Sequence, residues 1–164
     1  MTKPIYDIML CADGATRAVP VINGVKIDPS LKAVEKAQKE KDKLVTHAIS
    51  EQPSESCAML FGKKIGDNWN VKEVFLTQNI DDSQTNFTIS PEELLKGYQI
   101  AEKNQLEVVG IFHSHPNSDA IPSNTDKKFM QNNPVPWIIF SGVNNDLKAY
   151  LLDSTIIEIQ IKID

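Results

Sequence analysis

The chain has little of what small stapled or membrane-bound proteins depend on. Its 164 residues include only two cysteines, Cys11 and Cys57, too few for a disulfide framework and without the CxxC spacing of a zinc knuckle. No apolar run approaches the roughly 20 residues that a bilayer demands, and the N-terminus lacks the apolar core of a signal peptide. These absences predict a protein of the reducing cytoplasm with no membrane association. Clustered positive charge is also missing. Lys and Arg total 17 against 22 Asp and Glu, a formal net charge of −5, which argues against a groove for nucleic acid. The string KAQKEKDK at 36–43 mixes signs as the solvated face of a helix does. No repeat or low-complexity tract interrupts the chain.

What is present is enough for an ordinary core. With 41% hydrophobic residues, a chain of this length buries a core without help from metal or disulfide, so any metal it binds is expected to serve chemistry. The Asn23–Gly24 pair suits a tight hairpin within an N-terminal extension over 1–28. A helix is predicted from Asp28 and Pro29 to about Ile49, its apolar stripe of Leu31, Val34, Leu44, Val45 and Ala48 thinning in the middle. His47 falls on this helix and reads as exposed. Strands follow at Cys57–Phe61 and Val71–Thr77 around a turn near Gly66–Asn70, with a short edge strand at Phe87–Ile89. Ser90, Pro91, Glu92 and Glu93 open a helix reaching about Asn104. Further strands are read at Leu106–Phe112, Trp137–Phe140, Lys148–Leu152 and Ile156–Ile163. The order predicts an α/β fold, a mixed sheet with packed helices, over a main domain of 29–164.

Histidine is scarce, and its placement is the strongest functional signal. Only three occur, and two of them, His113 and His115, stand at the end of the apolar strand. Side chains alternate along a strand, so both imidazoles project from one face and can reach one ion. Pro116 then ends the ladder and opens a polar loop to Pro122. Ser123 followed three residues later by Asp126 reads as a helix cap, and a plain cap explains that pair by itself. Together, however, His113, His115 and Asp126 form a three-residue ligand set that leaves a fourth tetrahedral position for water, the mark of catalytic rather than structural zinc. Cys57 lies inside an apolar strand and reads as core rather than nucleophile.

The order His, any residue, His, seven residues, Ser, two residues, Asp resembles the metal signature of the JAMM metalloproteases, also called the MPN-plus family. The resemblance covers about Asp28–Ile163 and implies the MPN fold. It implies Zn2+ held by His113, His115 and Asp126, with Ser123 polarising or holding the scissile carbonyl oxygen. It also implies an upstream glutamate, and Pro53-Ser54-Glu55 before the apolar run to Gly62 resembles the family's Pro-any-Glu segment. Glu55 is thereby the residue that takes a proton from the attacking water and returns it to the leaving amine. On composition alone, Glu55 reads rather as the solvated end of the preceding helix, although its place just before the apolar run would set it at a strand start. Ala58 departs from the glycine many members carry there.

Two functions from different classes follow. The first is a zinc-dependent peptidase cutting peptide or isopeptide bonds at the C-terminal tail of a ubiquitin-like or sulfur-carrier protein, as prokaryotic members do. The second is a non-catalytic MPN scaffold that only binds partners. The polar stretches 79–86 and 116–122 are expected to wall the substrate groove.

Overall fold

The computed structural model describes residues 7–10, 21–22, 25–26 and 29–163, with side chains from Lys36 onward. In chain order its elements are β1 (Asp7–Leu10), β2 (Val21–Ile22), β3 (Val25–Lys26), α1 (Pro29–Ser50), β4 (Cys57–Ile65), β5 (Asn68–Thr77), α2 (Pro91–Lys103), β6 (Glu107–His115), α3 (Asn124–Asn132), β7 (Trp137–Ser141), β8 (Leu147–Leu152) and β9 (Ile156–Ile163). The main sheet runs β1-β5-β4-β6-β7-β8-β9 and closes into a barrel. β6 and β7 pair in parallel, as does β1 with both β5 and β9, whereas the other pairs are antiparallel. The α/β fold with a mixed sheet is therefore the observed one. β2 and β3 form a separate antiparallel pair; the Asn23–Gly24 turn between them, and Cys11, lie outside the described residues. Among the described residues no helix is long and apolar enough to cross a membrane.

Strand alternation sorts the core into two layers. Ala58 and Leu60 of β4, Phe112 of β6, Ile138 and Phe140 of β7 and Ala149 and Leu151 of β8 meet Ala37, Leu44 and Ala48 of α1. Their neighbours one residue along face the opposite way. Cys57, Met59 and Phe61 pack under Ala101, Leu94 and Ile100 of α2, while Trp137, Ile139 and Tyr150 pack under Met130 of α3. A strand covered on both faces needs apolar residues at every position, which is why β7 reads as an unbroken WIIF run.

Three sequence expectations need correction. Phe87–Ile89 is not a strand. Thr88 gives its carbonyl to Ile80 N and its N–H to the Asn79 side chain, so its backbone is satisfied by a loop instead of a ladder. His47 is not exposed: its Nε2 lies 3.1 Å from both the Cys57 and Thr77 carbonyl oxygens. Since carbonyls only accept, that nitrogen carries the proton and ties α1 to β4 and β5. Glu40 of the mixed-charge string is buried where the α1 stripe thins, accepting from Val74 N at 2.9 Å and from Lys43 Nζ.

The hairpin β4–β5 extends further than its apolar residues suggest, up to a turn at Gly66, whose φ of +59° suits glycine. Its register shifts at Phe61 and Gly62. A Cβ on Gly62 would sit 1.7 Å from the Asn70 carbonyl oxygen, backbone that cannot yield cheaply. Gly62→Ala is expected to destabilise the fold by about 3 kcal/mol, measured by urea unfolding; a loss within experimental error would show that the strands approach less closely than described.

Cys57 is fully buried, and its Sγ accepts from the Thr77 hydroxyl. Burial pushes its thiol up to about 11, outweighing the hydrogen bond from Thr77. The thiol is therefore protonated and shielded at neutral pH. N-ethylmaleimide is expected to leave Cys57 unmodified in the native protein and to label it promptly in urea, as read by peptide mass spectrometry.

Candidate metal and catalytic site

Three chain segments converge at one end of the sheet: the approach to β4, the end of β6 and the start of α3. Cys57 of β4 pairs with His113 of β6 in an antiparallel register. Continuing that register by one residue sets Ser56 against Ser114, and by two sets Glu55 against His115. Ser114 N donates to Ser56 O at 3.1 Å, and Ser114 Oγ accepts from Ser56 N at 2.8 Å, so the pairing does continue past the ladder. Alternation then places Glu55, His113 and His115 on one face, while the Ser56 and Ser114 hydroxyls meet at 3.0 Å on the other.

Asp126 arrives from α3. The helix begins with a reciprocal capping box: Asp126 N donates to Ser123 Oγ at 3.1 Å, and Ser123 N donates to Asp126 Oδ2 at 2.7 Å. The cap fixes the aspartate side chain, and its two oxygens point at the two imidazoles. Asp126 Oδ1 lies 3.2 Å from His113 Nε2 and Oδ2 lies 3.3 Å from His115 Nε2. The two Nε2 atoms are themselves 3.0 Å apart. All three residues are buried.

This triangle is what a metal requires. Zinc–nitrogen bonds of about 2.0 Å at tetrahedral angles put neighbouring ligand atoms about 3.3 Å apart, close to the three separations seen. The proton positions agree. His115 Nδ1 sits 2.9 Å from the Asp119 carbonyl oxygen, so Nδ1 carries a proton; Nε2 donates to Asp126 while the imidazole is charged and presents its lone pair to the triangle once it is neutral. His113 Nδ1 is buried without a hydrogen-bond partner among the described residues, an arrangement costing about 1–3 kcal/mol; the triangle is faced by the other ring nitrogen, Nε2. Lone pairs and a carboxylate converging on one point repel unless a cation or proton sits between them. Among the described residues, His113, His115 and Asp126 are the group that could hold a metal ion.

Electrostatics separate the four groups. Burial drives the His113 imidazole down, against the pull of Asp126. Burial acts the same way on His115, but hydrogen bonds to Asp126 and to the Asp119 carbonyl raise it on balance. Burial acts to raise Asp126, yet its bonds from His113, His115 and the Ser123 backbone hold it well below the usual carboxylate range. Glu55 is buried with Oε1 4.0 Å from His115 Nε2. Desolvation pushes it up to about 8; His115 opposes the rise and Asp126 adds to it. A cation in the triangle would draw it back down. Such a carboxyl is poised to take and release a proton near neutrality.

Around these residues the walls are built from loops. Phe87 stacks on the His113 ring at 4.8 Å, and Trp137 meets it edge-on at 5.8 Å. Beside them opens an apolar pocket of about 250 Å³, lined by Phe87, Ile89, Leu94, Ile111, Phe129 and Trp137. On the other side the 116–122 loop is pinned to the β7–β8 turn. Ser141 Oγ donates to Ser118 O and Gly142 N donates to His115 O; a Cβ on Gly142 would meet Pro116 O at 2.5 Å.

The structure thus brings Glu55, His113, His115, Ser123 and Asp126 into one place. Sequence reasoning missed Ser56, Ser114, Asn79 and the Asp119 carbonyl. The first two carried a signal, because the β4–β6 pairing implied by the motif forces two serines to face each other. Asn79 and Asp119 carried none, since loop asparagines and backbone oxygens have no distinguishing pattern.

Comparison with known proteins agrees with this geometry. Residues 37–153 match the family described as prokaryotic homologs of the JAB domain. The chain is 36% identical over 122 residues to a desampylase of Pyrococcus furiosus, covering 73% of this chain and 84% of that protein. It is 31% identical over 107 residues to a probable TtuB-protein conjugate cleaving protease of Thermus thermophilus, covering 65% and 67%. Among solved structures, a Desulfitobacterium hafniense protein determined in solution superposes with a TM-score of 0.70 at 30% identity, covering 76% of this chain and 88% of that one. A family match over most of the chain, carried by a fold whose sheet delivers two histidines, an aspartate and a glutamate to one corner, makes this chain a member of the prokaryotic JAB family, the JAMM or MPN group that its sequence resembles.

Proposed function

We propose that the chain is a zinc-dependent metallopeptidase that hydrolyses a peptide or isopeptide bond at the C-terminal tail of a ubiquitin-like or sulfur-carrier protein, acting in the cytoplasm. The observation that carries this reading is the buried triangle of His113, His115 and Asp126 with Glu55 Oε1 only 4.0 Å from His115 Nε2. The names of the relatives support it. One is a desampylase and another a probable protease of protein conjugates.

In this reading His113, His115 and Asp126 hold Zn2+, which when bound supplies Lewis acidity to water and to the scissile carbonyl. The chain's own residues do the rest. Glu55 accepts a proton from the attacking water and hands it to the departing amine, the task for which its buried position suits it. Ser123 keeps its oxygen occupied by Asp126 N, which leaves its O–H to donate to the carbonyl oxygen of the substrate. Phe87 and Trp137 exclude solvent from the His113 side, so the charges within act at close range. The 79–88 and 116–122 loops form the walls between which an extended tail passes.

A non-catalytic scaffold of the same fold has no use for a buried carboxyl facing a ligand triangle. Burying such groups is costly, and the peptidase reading accounts for every one of them.

Metal content and cleavage of ubiquitin-like carrier fusions test the proposal. Wild-type protein is expected to hold zinc, to lose thermal stability on chelation and to release the fused reporter. Glu55→Gln should keep the zinc while turnover falls by about 10²- to 10⁴-fold; His113→Ala should lose both. Zinc-loaded protein that cleaves none of a panel of carrier fusions would favour the scaffold. A Glu55→Gln variant with undiminished turnover would remove the glutamate from the chemistry.

The role of Ser123 is separable. Ser123→Ala removes a cap worth about 1 kcal/mol and a donor to the carbonyl oxygen worth about 10²-fold in kcat. Ser123→Gly, which costs the helix only a few tenths of a kcal/mol, should show the same loss of kcat. Activity restored in the glycine variant would make Ser123 a cap alone.

A further inference from the structure

Glu55 lies just outside the ladder. β4 begins at Cys57 and β5 ends at Thr77, so on the β5 side the residue has no strand to hold it. The loop that follows β5 takes over. Glu55 N donates to Ser83 O at 2.8 Å, and Ser54 Oγ donates to Asp82 Oδ1 at 2.6 Å. Glu55 O accepts from Asn79 Nδ2 at 3.0 Å. Both backbone polar groups of Glu55 are therefore satisfied by one loop.

Asn79 is the hub of that loop. Besides its bond to Glu55, Nδ2 donates to Asn86 O at 2.9 Å, and Oδ1 accepts from Asp81 N and Thr88 N, each at 3.1 Å. A side-chain amide offers two donor hydrogens and two acceptor lone pairs, and here all are used in a buried setting, with Asn79 only 6% exposed. Four bonds from one planar group fix the loop's curvature and its distance from Glu55 together.

From these contacts we infer that Asn79 is a positioning residue for Glu55: through its amide the 79–88 loop serves as the rigid mount that aims the carboxyl at the ligand triangle. The inference rests on the reading of Glu55 as the proton carrier. A carboxyl on a free segment samples many rotamers, and proton transfer demands approach to within hydrogen-bond reach of the water it serves. Asn79 touches neither substrate nor metal. It acts only through the backbone of Glu55, and the pocket residues Phe87 and Thr88 ride on the same loop.

The test is a double-substitution cycle on the zinc-loaded full chain, using a carrier fusion that the wild type cleaves. Asn79→Ala is expected to lower kcat by about 10- to 100-fold, the range typical of residues that orient a functional group, with zinc content unchanged. In a Glu55→Gln background the same substitution should change the residual rate by less than about twofold, because there is no longer a proton carrier to misplace. Equal losses in both backgrounds, or a wild-type kcat in Asn79→Ala, would overturn the proposal.

A readout independent of activity is amide hydrogen exchange. Exchange at the Glu55 N–H should accelerate in Asn79→Ala while that at Cys57, inside the ladder, stays slow. Unchanged protection of Glu55 would refute the mount alone, whereas undiminished turnover by Glu55→Gln would refute the proton carrier on which it rests. If Asn79→Ala does not fold, Ser54→Ala, which releases Asp82 from the other side of the loop, carries the same cycle and the same exchange measurement.

Discussion

The register between β4 and β6 is the constraint on which the site depends. Once Cys57 lies opposite His113, the two-residue repeat of an extended chain leaves Glu55 opposite His115 and puts both on the face of the ligand triangle. A slip of one residue would send Glu55 to the α1 side of the sheet and bring Ser56 in its place. Ser56 and Ser114 guard against that slip. Their hydroxyls satisfy each other on the far face, and any other pairing would bury one of them unpartnered, at about 1–3 kcal/mol each. The apolar alternation behind them works in the same direction, since Ala58, Leu60 and Phe112 are placed for α1 only in the observed register.

Holding this corner together has an energetic cost. Four ionisable side chains sit where water is largely excluded, and the surrounding groups compensate unevenly. Asp126 is well served, by the Ser123 backbone and both imidazoles. His115 has the Asp119 carbonyl. His113 keeps an unpartnered Nδ1, and Glu55 prefers its neutral form. Of these two, a bound cation would relieve Glu55 by favouring its charged form; at His113 it would take the Nε2 lone pair and leave Nδ1 as it is. The corner is thus a place of stored electrostatic cost among described residues that are otherwise satisfied, which is where perturbed titratable groups signal function.

Legibility in the sequence followed the range of the interaction. β6, α2, α3 and β7 are local patterns, an apolar run or a cap ahead of an amphipathic stretch, and the structure starts each within a residue of where those patterns put it, with β6 running past its apolar run to His115. The two histidines needed only the alternation of a strand. Glu55 was different, since its partner His115 lies 60 positions along the chain and nothing near Glu55 announces the pairing; only the resemblance to a family supplied it. His47 and Glu40 went astray for the same reason. Each is polar on a helix that reads as solvated; Glu40 is buried and His47 half-buried against β4 and β5, whose position above α1 is a tertiary fact. Phe87–Ile89 failed through composition: two β-formers and an aromatic promise a strand, but a side-chain amide nearby claimed the backbone first.

Asp126 shows why a modest structural reading and a functional one need not compete. Ser123 and Asp126 form a capping box of the most ordinary kind, and the box explains both residues without reference to chemistry. Yet the cap is what holds the carboxylate still. With Oδ2 accepting from Ser123 N at 2.7 Å, the side chain has one rotamer, and that rotamer presents an oxygen to each imidazole. An aspartate at the same distance from His113 but free of the cap would lose rotamer freedom, of order 1 kcal/mol, whenever the triangle assembled. The helix start bears that cost during folding. A motif that looks like plain secondary-structure grammar therefore doubles as preorganisation, and the spacing of Ser and Asp is fixed by helix geometry before any ion is involved.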